Sequence, residues 1–291
     1  MERFYKNISK PIKDVLYIIH FIFKAVLFYS CGFSKDFVFK GYNTKRVHVL
    51  GNGPSLSKSL NIINTDLDDI IMVNYSPLSD IFWELKPKFL CLLDPVYFNK
   101  TEMSSDERNK KEMYKRLEEI DWNLTIVSPV IYRKKIVVFK NKNIKYDFVN
   151  YVSIGHDVSF FRFQLYKYNL SAPAMFNVVV MALYMSLQRG YHSIVLHGVD
   201  ADLFKRICVN DKNEIIIDDA HFYAKEKRNL NKEKYHGYTI GGLYRLLEDQ
   251  SVVFKSYVDL FNYSKYLGIK IFNATHTSMI DAFERFKSVD L

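Results

Sequence analysis

The segment RVHVLGNGPSL, residues 46–56, joins a short apolar run to a turn that contains two glycines. The apolar run, residues 46–50, predicts a buried strand, and the break at Gly51 predicts a tight turn at its carboxyl end. Gly51 and Gly53 lack a Cβ atom, so the backbone between them can approach a ligand closely. A strand that ends in such a turn is typical of an α/β sheet whose ligands bind at the strand ends.

The residues that follow the two glycines predict the start of a helix. Pro54 fixes its own φ angle, and Ser55 is a candidate N-cap for that helix. Free backbone N–H groups at a helix start attract anions, so we expect phosphate binding here; a plain strand–turn–helix connection is the alternative. The segment is not the dinucleotide pattern GxGxxG, because Leu56 stands at the third glycine position, and no GK[ST] of a Walker A motif follows.

Further apolar runs alternate with helical stretches along the chain. The predicted strands after the first are residues 69–73, 89–93, 124–127, 193–196 and 270–273, and the predicted helices are residues 101–120, 175–188 and 251–267. Continuous apolar strands separated by helices indicate a mostly parallel sheet with helices on both faces. We therefore predict a Rossmann-like α/β fold.

Small polar residues follow the predicted strands, at the edge where an α/β sheet binds ligands. They are Asn52, Asn74, Asp94, Asp200 and Asn273. We expect these side chains to form one crevice, in which Asn74 and Asp94 bond a ribose or a base edge. A local turn or a helix cap is the alternative for each. Asn177, on an otherwise apolar helix, either contacts a ligand or makes a structural hydrogen bond to a neighbouring loop.

The polar and aromatic segment of about residues 201–250 is predicted to be a lid or small subdomain inserted into a domain of residues 45–291. His221 and His236 are its candidate general bases, because histidine titrates near neutral pH. Tyr223, Tyr235 and Tyr238 are candidate donors to a leaving phosphate. Asp200 and Asp202 together could imitate a DxD metal site, which requires both carboxylates on one side of the turn.

The composition excludes several classes of protein. The chain has 291 residues and is 48% hydrophobic and 16% aromatic, with only 11 Gly and 7 Pro, which is unlike a disordered or a collagenous chain. Its three cysteines are widely spaced and odd in number, which favours a reducing compartment without structural disulfides.

The charge of the chain is strongly positive and unevenly distributed. Lys and Arg total 41 against 32 Asp and Glu, a formal net charge of +9. Much of the excess lies in residues 1–48, around an apolar run interrupted by His20 and Lys24 that is too short to span a bilayer. Residues 1–44 therefore predict a basic amphipathic helix on an anionic membrane, or else a first helix packed on the domain. The remaining excess is expected around the crevice.

The ordered series GNGPSL (51–56), the strand ending at Asn74, FLCLLDPVYF (89–98) and GYHSIVLHGVD (190–200) carries a family resemblance. It resembles the bacterial CMP-sialic-acid-dependent sialyltransferases of glycosyltransferase family 42. It is also similar to the surface-polysaccharide proteins of domain-of-unknown-function 115. The resemblance covers roughly residues 46–280 and implies a GT-A-variant-like fold.

The resemblance implies a metal-independent, inverting glycosyltransferase of surface-polysaccharide synthesis. Its donor would be a CMP-activated acidic sugar contacted by Asn52, Gly53, Asn74, Asp94 and Asn177. Its acceptor would be a glycan, or a lipid-linked glycan at the inner membrane face. A lid histidine would act as general base and two lid tyrosines would bind the phosphate. No cofactor beyond the donor and no nucleic-acid partner is expected, since no nucleic-acid motif accompanies the basic residues.

This sequence departs from the family in the segment before the long helix. An arginine expected there is replaced by Leu170-Ser171-Ala172-Pro173, and Arg162 is a candidate to compensate. A nucleotide-activated sugar other than sialic acid is therefore an alternative donor. Two other functions remain open: a Mg²⁺-dependent diphosphokinase that uses Asp200 and Asp202, and a non-catalytic nucleotide-sugar-binding scaffold. In each case we expect a cytoplasmic protein at the periphery of the membrane.

Overall fold

A computed structural model describes residues 10–29, 32–99, 104–155, 161–221, 224–230 and 242–287. The helices are α1 (Lys10–Tyr29), α2 (Asp80–Leu85), α3 (Ser104–Leu117), α4 (Arg162–Lys167), α5 (Val178–Gln188) and α6 (Leu243–Leu267). The first strands are β1 (Asn43–Leu50), β2 (Asp69–Val73), β3 (Phe89–Cys91), β4 (Leu124–Pro129), β5 (Ile144–Val149) and β6 (Tyr191–His197). The others are β7 (Ile207–Val209), β8 (Ile215–His221), β9 (Ala224–Asn229), β10 (Lys270–Asn273) and β11 (Glu284–Arg285).

The main sheet has eight strands in the order β11-β10-β6-β1-β2-β3-β4-β5, and every neighbouring pair is parallel. All five residues of β2 are buried, as expected of a strand covered on both faces. The prediction of a Rossmann-like, mostly parallel α/β sheet is therefore confirmed.

Two apolar layers cover the sheet. Helix α5 is buried over its whole length and packs with α6 on one face. On the other face, Met113 and Leu117 of α3 and Phe82 of α2 pack together with β2–β4. Because α5 is apolar on all sides, it fits only between the sheet and a second helix.

Some boundaries differ from the sequence-based predictions. Helix α5 begins at Val178 rather than at residue 175, and α6 begins at Leu243, inside the segment assigned to the lid. The earlier part of that segment contains an antiparallel sheet in the order β7-β8-β9. A short 3₁₀ helix, Leu56–Ile62, follows the glycine turn in place of a regular α-helix.

Helix α1 lies against the segment that follows β5. Tyr17, Ile18 and Phe21 pack with Val152 and Ile154. The opposite side of the helix carries exposed apolar side chains, among them Ile12, Val15, Ile19, Phe23 and Val26. Among the described residues, none of the helices combines the length and the apolar character needed to cross a membrane.

Candidate functional site

The glycine turn after β1 is locked to the turn after β6. The N–H of Gly51 donates to the carbonyl of His197, and the N–H of Gly53 donates to the carbonyl of Gly198, both over 2.8 Å. A Cβ atom on Gly53 would lie 2.6 Å from the Gly198 oxygen and 2.0 Å from Asp200 Oδ2. The glycines are thus required by contact between two turns of the protein rather than by the approach of a ligand.

The same contacts correct the expected phosphate site. The N–H groups of Gly51 and Gly53 are already bonded, Pro54 has no N–H, and the N–H of Ser55 points to Asp200 Oδ2 over 3.4 Å. Few donors of this turn remain to bind an anion, so the turn does not provide the expected phosphate site by itself.

Ser55 and Asp200 brace this junction. Ser55 makes no capping bond to the helix that follows, contrary to prediction; its hydroxyl donates to Asp200 Oδ2 over 2.9 Å. Asp200 Oδ1 accepts a 2.6 Å hydrogen bond from the Thr277 hydroxyl. Both oxygens of the buried Asp200 are therefore engaged inside the protein.

Asp202 is engaged as well, in an ion pair with Arg206 at 3.1 Å. The two carboxylates of the DxD sequence thus have separate partners. Within the part of the chain that the structure describes, no three His, Cys, Asp or Glu side chains are grouped as metal ligands would be.

Asn52 and Asn74 present unpaired amide oxygens at the ends of β1 and β2. The Asn52 side chain donates through Nδ2 to the Val73 carbonyl over 3.1 Å, which fixes the orientation of its amide. Its Oδ1 is buried without a partner, and so is Oδ1 of Asn74. Asn74 also holds a left-handed backbone with φ +53°, which costs an ordinary residue about 1 kcal/mol. These acceptors could take hydrogen bonds from the hydroxyl or amino groups of a ligand.

Asn177 is the N-cap of α5, and its Oδ1 accepts a 2.7 Å hydrogen bond from the Val179 N–H. Asn177 thus caps its own helix rather than bonding a neighbouring loop, and the residue also lines the cleft together with Val178 and Val179. The amino terminus of α5 thus faces the same space as the two asparagines.

The cleft has a volume of about 230 Å³ and brings together most of the predicted donor-binding residues. Those in its lining are Gly51, Asn52, Gly53, Pro54, Asn74, Asp94, Asn177 and Asp200. Ser55 and Asn273 do not line it.

The charge of the cleft is opposite to expectation. Four aspartates line it, Asp94, Asp200, Asp202 and Asp249, and Arg206 is the one cation among its described lining residues. The positive excess of the chain therefore does not surround the cleft in the described part of the structure.

Sequence reasoning missed the wall that α6 contributes. The residues of α6 that line the cleft include Asp249, Gln250, Phe254 and Tyr257. Arg206, at the end of the 3₁₀ helix Leu203–Arg206, also lines it. The mixed polar and apolar pattern of residues 243–250 could have predicted that the helix begins before Ser251 and reaches this site.

The predicted catalytic residues stay predictions. His221 ends β8, but its side chain lies outside the described residues, as do Tyr223, Tyr235, His236 and Tyr238 in full. Arg162 does not reach the cleft: it is buried and forms an ion pair with Asp259 at 2.8 Å, so it does not replace the missing arginine.

A buried chain of polar side chains, also missed, runs beneath the glycine turn. His48 on β1 and His197 on β6 share a 2.8 Å hydrogen bond between Nδ1 and Nε2. His48 Nε2 is bonded to Asp68 over 3.0 Å, and His197 Nδ1 is bonded to the Ser59 hydroxyl over 2.9 Å. Burial lowers the pKa of His48 and that of His197, the latter to about 3.

No protein-family model matches the sequence, and no curated protein matches it either. Among solved structures, the chain is similar to the MAf glycosyltransferase from Magnetospirillum magneticum AMB-1, at 15% identity and a TM-score of 0.44. That match covers 87% of this chain and 35% of the MAf chain, so this chain spans about a third of MAf.

The chain is also similar to the sialyltransferase CstII from Campylobacter jejuni in complex with the substrate analogue CMP-3FNeuAc. The identity is 15% and the TM-score 0.44, over 84% of this chain and 86% of CstII. A mammalian sialyltransferase matches at 12% identity and a TM-score of 0.35, over 78% of this chain and 69% of that one. Identities and TM-scores this low assign no activity to this chain.

Proposed function

We propose that the protein is a glycosyltransferase of surface-polysaccharide synthesis whose cleft binds a nucleotide-activated sugar, with a CMP-linked acidic sugar such as sialic acid as the donor. The observation that carries the proposal is the pair of buried, unpaired amide oxygens of Asn52 and Asn74 at neighbouring strand ends. Two acceptors that follow neighbouring strands, one of them oriented by its bond to the Val73 carbonyl, suit the hydroxyl groups of a ribose or the amino group of a base.

The donor phosphate is assigned to the amino terminus of α5. That terminus lines the cleft with Asn177, Val178 and Val179. Asn177 already accepts the Val179 N–H, so it is the dipole of the helix that favours the negative charge there. Arg206 supplies a cation in the same cleft, although Asp202 already partners it. An acidic sugar would meet four aspartates, so its carboxylate must lie on the Arg206 side to avoid repulsion.

The proposed reaction is a single displacement at the anomeric carbon. His221 or His236 removes the proton from an acceptor hydroxyl, whose oxygen then bonds the anomeric carbon as the bond to the CMP phosphate oxygen breaks. Tyr223 or Tyr235 donates to the phosphate that departs as CMP. The configuration at the anomeric carbon inverts, and the acceptor is a glycan or a lipid-linked glycan.

The test is release of CMP from CMP-sialic acid by the full chain, with His221→Ala and His236→Ala compared singly with His192→Ala. His192 is the matched control because it is exposed near the start of β6, the end of the strand opposite to the cleft. We expect one lid variant to lower turnover by 10²-fold or more, as loss of a general base does, and His192→Ala to match the wild type. If neither lid variant lowers turnover while CMP still binds, the assignment of a lid histidine as general base is wrong. A wild type that binds CMP but releases none from CMP-sialic acid would favour the scaffold.

Chelation by EDTA separates the transferase from a Mg²⁺-dependent diphosphokinase. We expect activity to survive EDTA, because the carboxylates of Asp200 and Asp202 are engaged with Ser55, Thr277 and Arg206. Loss of activity in EDTA and its recovery with Mg²⁺ would favour the kinase.

A further inference from the structure

Helix α1 carries two apolar stripes on opposite sides. One stripe, which includes Tyr17, Ile18 and Phe21, packs on the domain. The other contains Ile12, Val15, Ile19, Phe23 and Val26, each more than half exposed. Their spacing of three, four, four and three residues places them on one face, since each residue advances about 100° around a helix. An exposed apolar stripe of this length is rare on a protein surface that meets only water.

Basic side chains border the exposed stripe along one side. At about 100° per residue, Lys13, His20 and Lys24 fall on a common line between the exposed stripe and the packed stripe. Asp14 falls on the packed side of the helix, away from the exposed stripe. Lysines in that position can extend along the helix and hold their charge above an apolar layer.

A second basic element lies close to the part of the chain that follows α1. Gly32 lies beside Arg133, whose Nη1 would be 3.6 Å from a Cβ atom on Gly32. Arg133 begins the basic segment, residues 133–145, in which no acidic residue occurs. Its cations are all exposed: Arg133, Lys134, Lys135, Lys140, Lys142 and Lys145. Glu118 packs against this segment, where it accepts the N–H groups of Lys140 and Asn141.

The basic segment also exposes apolar side chains. Val138 is 77% exposed and Val137 is 40% exposed, between cations on either side. Both elements thus combine apolar side chains that can enter a lipid layer with cations that can reach anionic headgroups.

We propose that the exposed stripe of α1 and the basic segment 133–145 together bind the surface of an anionic phospholipid bilayer, with α1 lying in the plane of the interface. A bilayer fits this surface because its charge complements the cations and its acyl region accepts the apolar stripe. A second copy of the chain would bring like-charged segments together, which costs free energy. The inference does not depend on the proposed activity.

The test is flotation of the full chain with vesicles of phosphatidylcholine alone and with vesicles that contain equal parts of phosphatidylglycerol. We expect binding to the anionic vesicles only, and binding that weakens as salt is added. The double variant Ile19→Glu/Phe23→Glu should abolish it. Leu67→Glu is the matched control, because Leu67 is 66% exposed on a loop distant from α1 in sequence.

The basic segment is tested with Lys134→Gln/Lys142→Gln against Lys111→Gln/Lys212→Gln, four lysines that are all exposed. Each cation near an anionic surface contributes about 1 kcal/mol, so the first pair should weaken binding about 30-fold and the second pair should leave it unchanged. Thermal melting checks that every variant is folded.

Three results would overturn the proposal. The first is absence of binding to anionic vesicles, and the second is binding that Ile19→Glu/Phe23→Glu leaves intact. The third is a dimer of the wild type in light scattering that becomes a monomer in Ile19→Glu/Phe23→Glu, while neither protein binds vesicles. That result would make the stripe an interface between copies of the chain.

Discussion

The hydrogen-bond order of the buried histidines follows from their end group, because a carboxylate only accepts. With both rings neutral, His48 Nε2–H donates to Asp68, His197 Nε2–H donates to His48 Nδ1, and the Ser59 hydroxyl donates to His197 Nδ1. This single order satisfies every ring nitrogen. A proton added to either ring would place a cation in a buried site beside a second histidine, which explains the lowered pKa values.

The two histidines predict a loss of stability in acid. The unfolded chain takes up protons below the ordinary histidine pKa of 6.5, whereas folded His197 stays neutral down to about pH 3. The free energy of unfolding should therefore be highest above about pH 6.5 and decrease as the pH falls below that value. His197 alone should lower it by roughly 2 kcal/mol at about pH 5. Urea unfolding of the wild type at about pH 7 and about pH 5 measures this difference in the free energy of unfolding.

His197→Gln should make that pH dependence shallower, because it removes the more strongly shifted group. His192→Gln, an exposed position on the same strand, should retain the wild-type dependence. Equal slopes for the wild type and His197→Gln would show that the buried pair does not control acid stability.

Among the elements, the junction between the turns after β1 and β6 has little room for added volume. Gly53→Ala should lower the free energy of unfolding by about 2–3 kcal/mol, because its methyl group would overlap the Gly198 carbonyl and Asp200. Lys58→Ala, exposed in the neighbouring 3₁₀ helix, should change it by less than about 0.5 kcal/mol. Denaturant melts of the two variants make the comparison, and a Gly53→Ala variant as stable as Lys58→Ala would contradict the interlocked geometry.

This junction also shows where sequence reasoning stops. The apolar runs predicted β2 and β10 with their observed bounds, because buried parallel strands are continuously apolar. The role of Gly53 was misassigned, since its partner Gly198 is remote in sequence and only the fold brings them together. Strand β9, Ala224–Asn229, was not predicted because four of its six residues are charged.

Across the fold, the positive charge and the cleft are separate features. Cations gather beside α1 and along residues 133–145, whereas the described cleft lining contains four aspartates and Arg206. The candidate residues could be placed at strand ends from sequence, since parallel strands end at one edge of a sheet. The contribution of α6 to the cleft lining and the sign of the cleft charge depend on how segments distant in sequence pack together. A local sequence pattern cannot predict either of them.

The claim that this cleft binds the donor nucleotide is tested most directly by calorimetric titration of CMP into the wild type, Asn74→Gly and Asn213→Gly. Glycine suits both left-handed positions, φ +53° and +56°, so both variants should fold, and Asn213 lies in the β7–β8 turn outside the cleft. We predict that CMP binds the wild type and Asn213→Gly equally and Asn74→Gly about tenfold more weakly, because one hydrogen bond to the nucleoside is lost. Equal binding by all three proteins, or binding of UDP or GDP without CMP, would contradict the account.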